Sequence, residues 1–315
     1  MLKPYAAVFI GAASYGVLST FVVLAYDRGY SLGEVVGSQQ MVGFLLTAMF
    51  AWYIRRRESA GAWRRNENIR SDERGLTSLT WTQRLVLMAA GMPTAITGLF
   101  YYQSLRYIPA SLAILLLFQF TWIGVVVQAV RQRKRPSLPV LISLLILFTG
   151  TLLAAGLLEK GAGSFNMLGI ALGFMAAVSY TLFLLLSGKA VPKAHPAYRG
   201  MWMMLGAMLL VFALFPPRFL FDGGLWSDLT LFALLLGVFG ALLPPVLFAY
   251  GVPHIGEGMA AILGAAELPM AVLLSSLILR EDVTPLQWGG VVIIVFGVAY
   301  PELMRRRGKG AAAVS

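Results

Sequence analysis

Residues 257–279 read EGMAAILGAAELPMAVLLSSLIL, an apolar run with a single acid, Glu267, in its interior. A membrane-spanning helix needs about 20 predominantly apolar residues at a rise of roughly 1.5 Å each, and this run is long enough. Glu267 follows about ten residues of it, hence roughly 15 Å in, close to the bilayer midplane. A charged group at that depth costs on the order of 2.5–3.5 kcal/mol on insertion scales, so such groups face a packed interior or a wet cavity. Pro269 follows two residues later and leaves a nearby carbonyl without its usual helical donor. Two roles therefore fit Glu267: a protonated side chain capping one of those carbonyls, or a site that binds substrate or an ion.

The rest of the composition agrees with a membrane setting. Hydrophobic residues make up 58% of the chain, charged residues 12%, and the mean hydropathy is +0.76. A soluble domain of this length could not cover so much apolar surface. The net charge of +11 does not call for a nucleic-acid partner, because the basic residues gather at the ends of apolar segments. With no cysteine, disulfides and thiolate metal sites are excluded. The first segment, from Pro4 to Tyr26, is too long for a signal-peptide core and has only Lys3 before it, so it reads as a span.

Apolar length predicts an all-α integral membrane protein with ten spans, near 4–26, 34–54, 85–105, 109–130, 138–157, 167–187, 199–217, 228–251, 257–279 and 287–304. With the N-terminus inside, 20 of the 25 Lys and Arg fall on the cytoplasmic side and five outside, and none need lie within a span. That asymmetry predicts both termini in the cytoplasm. The one long connection, 55–84, mixes both charge signs and reads as a solvated cytoplasmic linker; the basic tail, 305–315, reads as an anchor followed by a disordered end.

An internal repeat is visible at an offset of 148 residues. Tyr102 meets Tyr250, Ala113-Ile114-Leu115 meet Ala261-Ile262-Leu263, Ile146 meets Ile294, and Phe148 meets Phe296. At an offset of 165, Ser14-Tyr15 meet Ser179-Tyr180. Each half, 1–157 and 158–304, holds five expected spans, an odd number, so the second half would insert upside down relative to the first. Inverted repeats of this kind are a secondary-transporter architecture, with the site near the bilayer midplane where the repeats meet.

The offset of 148 sets Gln119 opposite Glu267. Gln119 suits either a ligand contact or interhelical bonding typically worth about 0.6–2 kcal/mol. Trp122, three residues on, shares its helical face. Tyr15, Tyr101, Tyr102, Tyr180 and Tyr250, with Ser14 and Ser179, are further candidates for the cavity wall, although an aromatic in a span commonly serves packing or the interfacial belt. Small-residue stripes at Gly169, Gly173 and Ala177, and at Gly91 and Ala95, predict close helix contacts. Pro93, Pro244-Pro245 and Pro269 interrupt spans and predict hinges or cavity walls. There is no phosphate-binding loop, no H-E-x-x-H and no hydrolytic grouping, so no enzyme activity, metal or cofactor is expected. One carboxylate, an amide and aromatic faces suit an ammonium group through charge pairing and cation–π attraction.

The stretches A-I-L-G-A-A-E-L-P (261–269), R-E-D-V-T-P-L-Q-W-G-G (280–290) and V-F-G-V-A (295–299) resemble the last spans of the EamA family in the drug/metabolite transporter superfamily. The resemblance extends more faintly over 102–157, 12–15 and 176–180, and residues 27–84 carry no matching motif. Two departures stand out. Arg280 occupies a position where the family carries glycine, and the family's Glu-Pro is here Glu267-Leu268-Pro269. The resemblance implies ten helices around a central cavity and export of amino acids or other small metabolites across the inner membrane. Together these readings predict a secondary transporter of small zwitterionic or cationic metabolites, with the lipid bilayer as its setting and protons as a candidate coupling ion. An uncoupled facilitator, or a non-transporting membrane sensor that uses the 55–84 loop, remains open on the residues alone, as does the oligomeric state.

Overall fold

The computed structural model describes residues 2–65, 79–133, 137–154, 166–187, 189–223, 227–255 and 263–312. Every regular element among them is helical. Seven helical stretches are long and apolar enough to cross a membrane: Leu2–Asp27, Leu32–Arg57, Trp81–Ser104, Ala110–Arg131, Met167–Ser187, Pro196–Leu214 and Leu229–Phe248. Three further expected spans hold shorter apolar helices, Leu138–Ala154, Glu267–Leu277 and Pro285–Tyr300. The chain is a multi-pass membrane protein.

Two compact units divide it. The first comprises Met1–Leu24, Tyr101–Ala177 and Leu243–Ser315; the second comprises Ala25–Phe100 and Val178–Leu242. Each unit therefore draws on both halves of the sequence.

In the first unit, α1 (Leu2–Gly16) packs against α11 (Leu243–Ile255) and α12 (Glu267–Leu277), and α12 packs on α5 (Ala110–Leu117). The segment α2 (Leu18–Asp27) continues α1 after a turn residue at Val17, and α6 (Phe120–Gln132) continues α5 after a turn at Phe118 and Gln119. The most extensive pairing is α7 (Leu138–Ala154) with α13 (Pro285–Ala312). Glycines make it: a Cβ on Gly290 would lie 2.3 Å from the Ala154 nitrogen, and one on Gly150 would lie 2.8 Å from Ile294. Ser143 Oγ donates to the Gly297 carbonyl across the same seam at 2.6 Å. The opposite faces stay apolar and exposed, with Leu138, Leu141, Leu145, Phe148 and Leu152 on α7 and Val292 and Phe296 on α13. An outer stripe of that kind suits lipid tails. Without a hydrophobic drive between helices in lipid, close packing at small residues holds the pair together.

In the second unit, α3 (Leu32–Arg65) packs against α9 (Pro196–Leu214) and α10 (Leu229–Leu236). The unit also holds most of α4 (Trp81–Ser104) and the end of α8 (Met167–Ser187). Gly91 and Gly206 lock α4 to α9 reciprocally. A Cβ on Gly91 would sit 2.0 Å from the Met203 carbonyl oxygen, and one on Gly206 would sit 2.1 Å from that of Met88. The predicted stripe at Gly169 and Gly173 is likewise a packing seam, against Ile108 and Leu116 in the first unit. Pro244-Pro245 follow six residues of π-helix, Gly237–Leu242, where the ladder widens before two residues that donate no N–H.

Three helix starts carry capping boxes: Ser31 with Glu34, Thr80 with Gln83, and Thr284 with Gln287. Helix α5 is capped differently. Its N-cap residue, Pro109, has no side-chain acceptor, and Glu281 reaches in from the α12–α13 connection instead, accepting from Ala110 N at 2.6 Å and Ser111 N at 3.1 Å. Arg280, just before it, adopts φ +57°, a left-handed conformation that disfavours a side chain and favours glycine.

Two expectations need correction. Helix α3 runs to Arg65, past the expected end at 54, and of the 55–84 connection residues 66–78 lie outside the described part. Helix α13 continues to Ala312, so the tail expected to be disordered is helical that far; its Arg305–Arg307, Lys309 and Ala311-Ala312 are good helix formers.

Replacing Arg280 with glycine removes the left-handed strain and should raise stability by about 1 kcal/mol, read as a higher melting temperature of the purified protein. Glu281→Ala should lower it by about 1–2 kcal/mol by stripping the cap from α5.

Candidate functional site

Glu267 does not sit in the middle of a continuous helix. It is the first residue of α12, preceded by a turn at Ala265 and Ala266. The ladder tightens there to i−3 bonds, Ala266 N to Leu263 O at 3.1 Å and Leu268 N to Ala265 O at 3.2 Å. Pro269 is the reason the helix restarts at this point. It falls in the first turn of α12, where the backbone N–H groups have no intrahelical partner and a missing donor costs nothing. An ionised carboxylate in that first turn also meets the positive end of the helix dipole.

The matching position in the first half behaves alike. Gln119 lies in the turn between α5 and α6, with Gln119 N to Leu116 O at 3.1 Å and Thr121 N to Phe118 O at 3.2 Å. Here Thr121 stands where the second half has Pro269, and its hydroxyl joins its own N–H in donating to the Phe118 carbonyl. Two segments aligned by sequence therefore break within one residue of each other.

Gln119 itself is well occupied. Its Nε2 donates to Leu115 O at 2.8 Å and Thr151 Oγ1 at 3.2 Å, and its Oε1 accepts from Trp122 Nε1 at 2.8 Å. Both amide donors are spent, one of them on α7, which matches the interhelical-bonding reading of this residue. The Trp122 ring lies 6.2 Å from that of Phe174.

Around Glu267 the first unit gathers residues of α1 and of the end of α4. Gly16 lies against it: a Cβ there would be 2.5 Å from the Glu267 carbonyl oxygen and 2.9 Å from Ala271 N. Tyr15 and Tyr101 both lie within electrostatic reach of the Glu267 carboxylate. Tyr15 also faces Phe248, ring centres 6.4 Å apart. Ser14 turns its hydroxyl back to the Gly11 carbonyl at 2.7 Å.

The other candidates separate. Tyr102 is 4% exposed and packs beside Tyr101, whereas its repeat partner Tyr250 is 50% exposed and lies against His254. Ser179 and Tyr180 belong to the second unit, where Ser179 Oγ donates to the Pro93 carbonyl at 2.9 Å and Tyr180 stacks on Phe183. Sequence reasoning missed Gly16 and Thr151. The available signal for Gly16 was its place right after the repeated Ser-Tyr pair; Thr151 had none.

Residues 167–300 match the EamA-like transporter family. An uncharacterized transporter of Synechocystis sp. (strain ATCC 27184 / PCC 6803 / Kazusa) is 26% identical over 218 residues, covering 67% of this chain. The chain spans 65% of that relative's length. A crystal structure described only as that of a protein superposes with a TM-score of 0.61 at 16% identity, covering 96% of this chain and 98% of the other, a likeness of fold alone. Within the EamA-like segment, the Glu-Leu-Pro of 267–269 starts a helix, so the inserted leucine still leaves the proline in a first turn.

Gly16→Val should force α1 away from the start of α12 and cost about 1–3 kcal/mol, seen as a lower melting temperature than that of Gly16→Ala.

Proposed function

We propose that this protein is a secondary transporter that moves small cationic or zwitterionic metabolites, amino acids among them, outward across the inner membrane by alternating access. Ten spans form two inverted five-helix repeats on this reading, with both termini in the cytoplasm. The observation that carries it is the interrupted helix at Glu267, whose start lies against Gly16 and whose carboxylate is within electrostatic reach of Tyr15, in a segment matching the EamA-like transporter family. Discontinuous helices are the usual site-builders of secondary transporters, because half-helix ends offer backbone dipoles to a ligand at a depth where water is scarce. The corresponding interruption at Gln119 supports the repeat.

Glu267 is the one group in this arrangement that can exchange charge with a ligand. It holds a substrate cation or a proton, one at a time, and that competition couples the two fluxes. Gln119 and Trp122 act as the girder that holds the first-half break in shape, since Trp122 Nε1 is spent on Gln119 and the Gln119 amide donors on Leu115 O and Thr151 Oγ1.

Glu267→Gln keeps the shape and removes the charge. In proteoliposomes with an imposed pH gradient, the wild-type protein should accumulate or release substrate in response to the gradient, and the variant should lose that response while inserting and melting normally. Retention of the pH response by the variant would remove Glu267 from the coupling role.

A further inference from the structure

The starts of α4 and α9 come together in the second unit, where Leu79, Leu87, Ala197 and Met203 belong to one buried cluster. Each helix carries an arginine in its first turn, Arg84 and Arg199, and neither has an acid there. A helix start is the positive end of its dipole, where a carboxylate is favoured and a cation is not. Among the described residues no carboxylate pairs with either arginine. Lys193, just ahead of α9, is exposed and adds a further cation.

Arg84 is held in one place. Its guanidinium carbon lies 4.8 Å from the ring centre of Trp81 and 5.2 Å from that of Trp202, and its Nε donates to Leu79 O at 3.1 Å. The Nη donors of the same group have no acceptor among the described residues. A guanidinium fixed in this way offers its outer edge to two oxygens of one phosphate without further ordering. Arg199 is also short of acceptors: an Nη donates to the Ser187 carbonyl, while its buried Nε has no partner among the described residues. The surface alongside decides what kind of phosphate fits. Trp81 is 72% exposed and Leu85, one turn on along the same face, is 59% exposed, so an apolar strip runs down α4 from the turn that carries Arg84. Tryptophan at the end of a span sits at headgroup level, and apolar side chains below it meet acyl chains.

We propose that Arg84 anchors the phosphate of an anionic phospholipid whose acyl chains lie along Trp81 and Leu85. The cations at the two helix starts, unmatched by acids, select an anionic headgroup over a zwitterionic one, whose ammonium they repel. Glu267 belongs to the other unit, so this inference goes beyond the transport reading and does not depend on it.

The test measures the melting temperature of the full-length protein in neutral detergent micelles alone, doped with phosphatidylglycerol or phosphatidylcholine, or supplied with inorganic phosphate. Each shift is taken against the same variant without additive. Wild type should be raised most by phosphatidylglycerol. Arg84→Gln should lose at least half of that shift, and Arg84→Lys, which keeps the charge but not the fork, should lose a smaller part. Arg218→Gln, which removes an exposed cation elsewhere in the unit, should keep all of it. Should Arg84→Gln fail to fold, Arg84→Lys decides alone, and a full shift in it overturns the forked contact. A full shift in Arg84→Gln, or none in wild type, removes the site. Equal loss in Arg218→Gln reduces it to general charge attraction. Equal stabilisation by phosphatidylcholine overturns the selectivity for an anionic headgroup, and equal stabilisation by inorganic phosphate overturns the lipid as occupant.

Discussion

The arrangement depends on one close approach, the α-carbon of Gly16 against the backbone at the start of α12. With the Glu267 carbonyl oxygen only 2.5 Å from where a Cβ would stand, no side chain fits at that position. The contact does two things at once. It lets α1 run directly over a helix start, and it brings Tyr15 within reach of the carboxylate. Helices in lipid gain little from hiding apolar surface from one another, so contacts of this sort decide which segments touch. The same device recurs at Gly91 with Gly206, and along the α7–α13 seam.

Interrupted helices supply the second constraint. Backbone polar groups inside a bilayer must be satisfied within the protein, and a break exposes several of them. The chain meets this locally at each break. Tightened i−3 bonds close the turns at Gln119 and Glu267, the Thr121 hydroxyl takes up the carbonyl of Phe118, and π-helical turns precede the paired prolines. Glu281 caps α5 from the far side of α12, so the α12–α13 connection and the start of α5 are held as one piece. The strained Arg280 is the residue that turns the chain to allow this.

Polar groups around Gln119 are saturated by one another, which makes them a rigid strut. The two segments that align at the offset of 148 differ at their breaks: amide and threonine in one, carboxylate and proline in the other.

Much of this was legible in the chain. Apolar length located the membrane segments, and the offset of 148 paired Gln119 with Glu267. Glycine and alanine spacing marked the seams at Gly91, Gly169 and Gly173. Three S/T-x-x-E/Q boxes, at 31, 80 and 284, were also readable as helix starts, because that signal lies within four residues. What the sequence by itself determined, then, is the set of properties carried by local composition: which stretches are apolar, where an acid interrupts them, and where a proline forbids a donor. The tertiary structure alone decided that Gln119 is spent on Trp122 and Thr151, that Tyr102 is buried while Tyr250 is exposed, and that Gly16 meets the start of α12. Those outcomes depend on distances between residues far apart in the chain, and a hydrogen bond is made or missed by fractions of an ångström that no one-dimensional pattern encodes.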